Sequence, residues 1–172
     1  MGRRADPAGK PLVGAAGGLL DRALAESGID LSEVYVTNAV KHFKFEERAA
    51  PDSQETFGFR NRACKPWLCA ELACIHPEIR VCLGAMAARA VIGKGHRVPK
   101  ERGHFFEHPM AKSVTATVHP FAILRSPDPE RRHRDFEAFV KDSKAIREKL
   151  HKVAGSVKEE MLVCGAPPPS CT

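Results

Sequence analysis

The sequence has no long apolar run and few aromatic residues. No window approaches the roughly 18 consecutive apolar residues that a transmembrane helix needs, and no apolar segment follows a basic start as in a secretory signal peptide. We therefore expect a cytoplasmic protein with no membrane partner. Of 172 residues, 6% are aromatic and 43% hydrophobic, which is typical of one soluble globular domain. We expect that domain to be a monomer.

The sequence also lacks any Cys-x-x-Cys pair, which excludes an ordinary zinc ribbon or a thioredoxin-like site. Six cysteines are nevertheless present: Cys64, Cys69, Cys74, Cys82, Cys164 and Cys171. In a chain without an export signal, cysteines are more often thiols or metal ligands than disulfides. Cys64, Cys69 and Cys74 follow one another at five-residue steps, and on a helix such steps spread side chains around the axis.

Positive charge exceeds negative charge along the chain. Lys and Arg number 27 against 21 Asp and Glu, so the net charge is +6 with histidine neutral. A polyanionic partner such as nucleic acid would account for this excess. A single solvated helix would also account for part of it, because Arg131, Arg132, His133 and Arg134 are consecutive. The composition leaves both interpretations open.

Hydrophobic periodicity predicts helices that alternate with short strands. Helices are predicted at Leu19–Ser27, from Pro66 in a first turn to Ile75, at Ala85–Ile92 and at Pro129–Val153. Strands are predicted at Val34–Thr37, Ile79–Leu83, Gly103–Glu107 and Ser113–Val118. Charged and turn-forming residues between His42 and Arg62 predict a long surface loop. The order of elements predicts a three-layer α/β/α sandwich around a short, mostly parallel sheet.

Two polar residues follow predicted strands. Asn38 comes after the first strand and His119 after the last. Ligands of open α/β sheets bind beyond the carboxyl ends of the strands, so both residues are candidates for a site. An amide offers a donor and an acceptor to a base edge, and an imidazole can stabilise developing negative charge. Each residue could equally be an ordinary turn residue that bonds its own backbone.

The chain resembles the iron-sulfur branch of the uracil-DNA glycosylase superfamily, and most closely its X-type members. The matching blocks are Pro11–Gly14 with the following Gly-Leu-Leu-Asp-Arg-Ala-Leu, Val34–Phe45, Ala63–Leu68, Val81–Ala85 and Thr115–Pro120. The resemblance spans about residues 9 to 150. It implies a glycosylase-like domain at residues 1–154, and we expect a disordered tail at 155–172. Relative to the family, the domain is expected to begin after the first strand.

The resemblance implies a DNA repair enzyme that flips uracil out of DNA and hydrolyses its N-glycosidic bond. His119 would be the catalytic residue, and Asn38 and Leu12 would contact the uracil. Phosphate contacts would come from Arg125, Lys94 and Arg97. The partner would be uracil-containing DNA.

Several positions depart from the family pattern. A 4Fe-4S cluster is expected in the family, but of its ligands this chain offers only Cys64 and, where other members carry a cysteine, His42. Leu12 stands where the family has an aromatic that stacks on uracil, and Phe121 where it has a serine. The family's Gly-Glu-x-Pro-Gly water-positioning motif is not present before Pro11.

X-type members carry an Arg-Arg-Ile-His element whose histidine bonds to the uracil-derived sugar. This chain has no histidine between His42 and Cys64, so we expect covalent trapping to be lost. Three alternatives stay open at the level of the sequence. The protein is an active or residual glycosylase, a catalytically silent DNA-binding member of the fold, or a truncated product that does not fold stably.

Overall fold

A computed structural model of the chain describes residues 11–39, 53–93, 98–108 and 111–156. The helices are α1 (Ala15–Ser27), α2 (Ser53–Ile75), α3 (Gly84–Val91), α4 (Val98–Glu101), α5 (Pro120–Leu124) and α6 (Pro129–Ser156). The strands are β1 (Ile79–Leu83), β2 (Phe105–His108) and β3 (Ala111–Thr117). None of the helices in the described ranges is both long and apolar enough to cross a membrane.

Helix α1 forms where the apolar spacing predicts it. Leu20, Ala23 and Leu24 are buried on one face. The helix ends because Gly28 adopts a left-handed conformation, with φ 73°. The Gly28 N–H donates to the Ala25 carbonyl at 3.0 Å, and the Ile29 N–H donates to the Leu24 carbonyl at 3.0 Å. Gly28 is therefore a left-handed glycine cap at the end of α1.

A tight turn packs against the start of α1. Leu12 has a positive φ of 53°, and Gly14 has a φ of 100°. A Cβ atom added to Gly17 would lie only 1.7 Å from the Leu12 carbonyl oxygen. The turn can rest on the helix only because residue 17 has no side chain. The backbone conformation of Leu12 therefore depends on this glycine.

The described strands form a three-stranded sheet in the order β1-β3-β2. Strand β1 runs parallel to β3, with Val81 opposite Thr115 and Leu83 opposite Thr117. Strand β2 pairs with the other edge of β3 in antiparallel orientation. The predicted α/β class with a short sheet is confirmed, with one antiparallel strand at an edge.

Helices cover both faces of the sheet. On one face, a core cluster joins the sheet to α3 and α4: Cys82, Ala88, Val98, Val114 and Ala116. A second core cluster, here called the helical cluster, joins α1, α5 and α6: Leu20, Ala23, Leu24, Ile123, Phe136, Phe139 and Val140. Neighbouring residues of a strand point to opposite faces, so Thr117 faces α6 while Ala116 faces α3. The layers therefore follow the predicted α/β/α order.

A single carboxylate fixes α6 to the sheet. Asp142 Oδ2 accepts hydrogen bonds from Arg102 Nε at 3.0 Å and Nη2 at 2.8 Å. The Thr117 hydroxyl donates to the same oxygen. A Cβ atom on Gly103, which has a φ of +74°, would lie 3.3 Å from Asp142 Oδ1. These contacts hold α6, the end of β3 and the turn before β2 in one arrangement.

Two sequence predictions are wrong. Val34–Thr37 is not a strand, and Thr37 Oγ1 instead donates to Glu71 Oε2 of α2 at 2.9 Å. A strand needs a hydrogen-bonded neighbour, and neither edge of the described sheet pairs with this segment. The predicted loop is helical over residues 53–62, so Pro66 lies inside α2 rather than in its first turn. The helix continues through Gly58 because most of its neighbours there tolerate a helix well.

The ends of the proposed domain are described only in part. Helix α6 extends to Ser156, slightly beyond the Val153 expected from its apolar stripe. Most of the tail predicted at 155–172 lies outside the described residues, as does the part of the predicted loop at 42–52. The short helices α4 and α5 carry too few residues for a periodic pattern to reveal them in the sequence.

Two adjacent glycines of α1 provide a matched test of the turn. We expect Gly17→Ala to destabilise the protein by about 1–3 kcal/mol, because the new methyl group must displace the Leu12 backbone. Gly18→Ala meets no atom within 4 Å, so it should be neutral or stabilising by about 0.5–1 kcal/mol. Urea unfolding of both variants measures the difference. Equal effects on the free energy of unfolding would contradict this packing.

Candidate functional site

His119 lies where the sheet passes into α5. Strand β3 ends at Thr117, and His119 is the N-cap residue of α5 in extended conformation, with φ −76° and ψ 134°. Pro120 occupies the first helical position, where its fixed φ suits the helix and its missing N–H costs nothing. Pro120 and Ile123 are buried and anchor the short helix. The imidazole therefore lies at the carboxyl end of β3, as predicted.

The hydrogen bonding of His119 determines which ring nitrogen carries the proton. Its Nδ1 accepts the backbone N–H of Phe121 at 3.1 Å. An accepting Nδ1 is unprotonated, so the hydrogen of the neutral ring is on Nε2. Burial lowers the pKa of His119 from its ordinary value. The site thus holds a neutral imidazole with one N–H donor available to a ligand.

Gly84 allows the backbone and Cβ of His119 to approach the start of α3. It has a φ of +85°, which favours glycine, and it follows Leu83, the partner of Thr117 in the sheet. A Cβ atom at this position would lie 3.0 Å from His119 Cβ. Any side chain here would combine backbone strain with a contact against His119. The turn from β1 into α3 is therefore part of the wall behind the imidazole.

A cavity of about 380 Å³ lies beside the turn before α1. It is lined by Pro11, Leu12, Val13, Gly14, Gly17, Gly18, Leu20, Asp21 and Val36. Its volume falls within the range of about 300–1,000 Å³ that is usual for ligand pockets. The cavity places Leu12, a predicted uracil contact, opposite the segment that leads to Asn38.

Asn38 is half-buried two residues beyond Val36, just before a bend at Ala39, and it is not among the residues that line the cavity. Its segment is attached to α2 through Thr37. Val34 of the same segment, Leu12 and Val118 all pack against the helical cluster. The three segments that carry Leu12, Asn38 and His119 therefore meet on one core.

Arg125 ends α5, and its side chain is exposed. Its guanidinium carbon lies 6.0 Å from the centre of the Phe121 ring, which is 52% exposed. In the sequence, Phe121 stands out only as a departure from a family pattern. No sequence signal separates an exposed phenylalanine from a buried one, so its position beside the site emerges only from the fold. Lys94 and Arg97 lie outside the described residues.

The basic run at the start of α6 is largely neutralised within the helix. Arg131 lies 3.8 Å from Asp135, Arg134 lies 3.7 Å from Glu130, and His133 lies 3.4 Å from Glu137. Arg132 donates to the Ser126 carbonyl. These contacts support the interpretation of this run as an ordinary solvated helix surface. Arg125, on the other side of Ser126, is the more suitable candidate for a phosphate contact.

The described residues do not form the ligand set of an iron-sulfur cluster. Cys64 is buried in α2, and His42 lies outside the described ranges. Within those ranges no three His, Cys, Asp or Glu side chains come together as metal ligands. A 4Fe-4S cluster requires four. The described residues therefore do not fit a 4Fe-4S cluster.

The other cysteines differ from one another in environment. Cys69 is disulfide-bonded, so the expectation that every cysteine is a thiol or a metal ligand is wrong for this residue. Cys82 is buried in the sheet, and burial raises the pKa of its thiol to about 12. It therefore stays protonated at neutral pH and is a core residue. Cys74 is an exposed thiol on α2.

Residues 2–144 match a family described as the uracil DNA glycosylase superfamily. The chain is 33% identical over 147 residues to the type-4 uracil-DNA glycosylase of Thermotoga maritima, covering 85% of this chain and 73% of that protein. It is 33% identical over 133 residues to the type-4 enzyme of Pyrobaculum aerophilum, covering 73% of this chain and 65% of that protein. It is 31% identical over 133 residues to the type-4 enzyme of Archaeoglobus fulgidus, covering 73% of this chain and 64% of that protein.

The lowered pKa of His119 predicts a pH dependence of stability. In the unfolded chain the imidazole titrates near pH 6.5, whereas in the folded protein it binds its proton only at lower pH. Between these values the unfolded state holds more protons, so stability falls as the pH drops below about 6.5. His119→Asn keeps a side-chain acceptor at the N-cap and does not titrate. Between pH 7 and pH 5 the free energy of unfolding should fall less steeply in this variant than in wild type. An unchanged slope would contradict the lowered pKa of His119.

Alanine substitutions at Gly84 and Gly93 distinguish the effect of backbone strain from the effect of contact with His119. Both have positive φ, +85° and +129°, and an added Cβ meets His119 only at Gly84. Each alanine substitution should cost about 1–3 kcal/mol through backbone strain. We expect only Gly84→Ala also to shift the His119 ring resonances in an NMR spectrum. Identical spectra for the two variants would show that the close packing is absent.

Proposed function

Because this chain belongs to the uracil DNA glycosylase superfamily, we propose that it removes uracil from DNA in base-excision repair by hydrolysing the N-glycosidic bond. The observation that carries the proposal is the neutral imidazole of His119, with its Nδ1 occupied by the Phe121 N–H and its Nε2–H available. The relatives to which it is 33% identical over the aligned residues are named uracil-DNA glycosylases. The chain spans between 64% and 73% of the length of those relatives.

His119 would act on the departing base. As the bond between the sugar C1′ and the uracil nitrogen breaks, the electron pair stays with the base, which becomes an anion. The Nε2–H of His119 would donate a hydrogen bond to a uracil oxygen and stabilise that charge. A water oxygen then bonds to C1′, and the proton that the water loses balances the proton that the base gains. A neutral imidazole suits this role because it donates a hydrogen bond without giving up its proton.

Leu12 and Asn38 would hold the flipped base. The amide of Asn38 offers both a donor and an acceptor to the uracil edge, which distinguishes uracil from bases with another pattern. Leu12 would contact the ring from the cavity wall. Without the π-system of an aromatic residue, Leu12 offers apolar contact but less stacking. We therefore propose that the base is held less tightly than in family members with an aromatic residue there.

Basic residues would bind the DNA backbone. Arg125 is exposed at the end of α5, six residues after His119, and would contact a phosphate near the target nucleotide. Lys94 and Arg97 are proposed to add phosphate contacts, and the net charge of +6 favours a polyanionic partner. The monomeric state and the cytoplasmic location stay predictions.

The finer resemblance to X-type members is also part of the proposal. The motif blocks support it, but the histidine of the Arg-Arg-Ile-His element has no counterpart between His42 and Cys64. We therefore propose that water, and not a protein side chain, attacks the sugar. The product would be a free abasic site rather than a covalent complex.

A second candidate is a DNA-binding protein that does not cleave. The substitution of Leu12 for a stacking aromatic supports it, because weaker retention of the flipped base lowers the rate of cleavage. Such a protein would bind DNA with the steep salt dependence that counterion release produces.

Release of free uracil from a single-stranded oligonucleotide tests both candidates. For a glycosylase we expect multiple turnovers with no covalent adduct, and a loss of about 100-fold to 1,000-fold in His119→Ala, because the leaving base loses its hydrogen-bond donor. Trp67→Leu is the control, since Trp67 lies on α2 and is 69% exposed. If wild type released no more uracil than His119→Ala, the proposed glycosylase activity would be overturned. Salt-dependent binding without release would then favour the second candidate.

A further inference from the structure

Helix α5 presents one aromatic ring to solvent beside the imidazole. Its other apolar side chains include Ile123, which is 2% exposed, and the buried Pro120, so the helix is firmly seated. Phe121 is instead a large apolar side chain with 52% of its surface exposed. Single exposed apolar residues are common on protein surfaces, so exposure alone says little. The surroundings of this ring give it a more specific meaning.

The backbone of Phe121 is tied to the imidazole. The Phe121 N–H donates to His119 Nδ1 at 3.1 Å, so the two residues share one hydrogen bond at the start of the helix. Phe121 therefore lies two residues from the candidate catalytic residue, on the same exposed start of α5. In a nucleic acid strand, the nearest groups to a flipped base are its own sugar and the two adjoining nucleotides. The exposed ring is thus a candidate contact for one of those nucleotides.

A cation accompanies the ring. The guanidinium carbon of Arg125 lies 6.0 Å from the ring centre, within reach of a cation–π interaction. The Arg125 N–H donates to the Phe121 carbonyl at 3.1 Å, so the residues are one turn apart on the same helix. Arginine pairs readily with phosphate, and aromatic faces accept any base by stacking. Together they offer one contact to a base and one to the backbone.

The segment after α5 is also fixed. Arg132 Nη2 and Nε donate to the Ser126 carbonyl at 2.9 and 3.3 Å. The Asp128 carboxylate caps α6 by accepting the N–H groups of Glu130 at 3.1 Å and Arg131 at 3.3 Å. These bonds join the residue that follows Arg125 to the long helix. The backbone that carries Phe121 and Arg125 is thus joined to the long helix, which lowers the backbone entropy lost when a ligand binds.

We propose that Phe121 stacks on an unpaired base next to the target nucleotide while Arg125 binds the adjoining phosphate, so that the site prefers single-stranded DNA. This inference rests on the proposed function, because it places the target nucleotide at His119. In a duplex the neighbouring base is already stacked and paired, so the ring gains less from it. Phe121 is a determinant of substrate form and does not take part in bond cleavage.

The experiment compares Phe121→Leu with wild type on single-stranded and double-stranded oligonucleotides that contain one uracil. Leucine keeps the exposed apolar character but has no π face. We expect KM on the single strand to rise about tenfold, within the range that base–aromatic stacking supplies, with kcat little changed. On the duplex KM should change much less. Phe121→Trp should restore the single-strand KM.

Direct binding separates this inference from the proposed function. Fluorescence anisotropy with a labelled single strand measures Kd without any turnover, and thermal unfolding shows that each variant is folded. If wild type releases no uracil but Phe121→Leu still weakens single-strand binding about tenfold, the proposed function fails and the stacking role stands. If wild type releases uracil while Phe121→Leu keeps the wild-type KM and Kd, the stacking role is overturned. Absence of single-strand binding by wild type also overturns it. Trp67→Leu, another exposed aromatic, should leave KM and Kd unchanged.

Discussion

The missing side chain at Gly84 allows the end of β3 to lie against the start of α3. Gly84 has a φ of +85°, and a Cβ atom added to it would lie 3.0 Å from His119 Cβ. This position therefore admits glycine and little else. The pairing of Leu83 with Thr117 brings the two strand ends together, and the glycine allows the backbone and Cβ of His119 to lie close to the start of α3. Gly17 has the corresponding role beneath Leu12. The positions of Leu12 and His119 thus each depend on a glycine at which backbone packs directly on its neighbour.

The chemistry of the site follows from the same packing. Half-burial lowers the pKa of His119, and the N-cap position commits Nδ1 to the helix. These two effects act in the same direction, because each favours a neutral ring with its proton on Nε2. A protonated ring would need both nitrogens as donors and would lose the hydrogen bond with the Phe121 N–H. The fold therefore determines the charge state of the imidazole as well as its location.

The charged side chains of this protein are in three different kinds of environment. The arginines at the start of α6 interact with acidic neighbours four residues away, so much of their charge is balanced within the helix. Such exposed pairs contribute little to stability. Asp142, with Arg102 and Thr117, is less exposed and joins three elements. Arg125 instead shares its surroundings with an aromatic ring beside the site. The net charge alone does not distinguish these three situations.

Many elements were predictable from local patterns. Leu20, Ala23 and Leu24 with Gly28 predict α1 and its end, and the run Ile79–Leu83 predicts β1. His119 is identifiable as a residue that follows a strand. Local patterns fail for Val34–Thr37, because a strand exists only when another strand pairs with it. They also fail at residues 53–62, where polar residues predict a loop and the chain forms a helix.

The sequence by itself determined the family, the α/β class and the identity of His119 as a candidate, since these depend on residue types and their order. Only the tertiary structure decided which nitrogen of His119 carries the proton, that Phe121 is exposed beside it, and that the glycines at 17 and 84 are close contacts. The physical reason is that these properties depend on backbone conformation and packing, between residues near in the chain, as for Leu12 and Gly17, or far apart, as for Gly84 and His119. Burial, pairing and close approach are set by the neighbours that folding supplies.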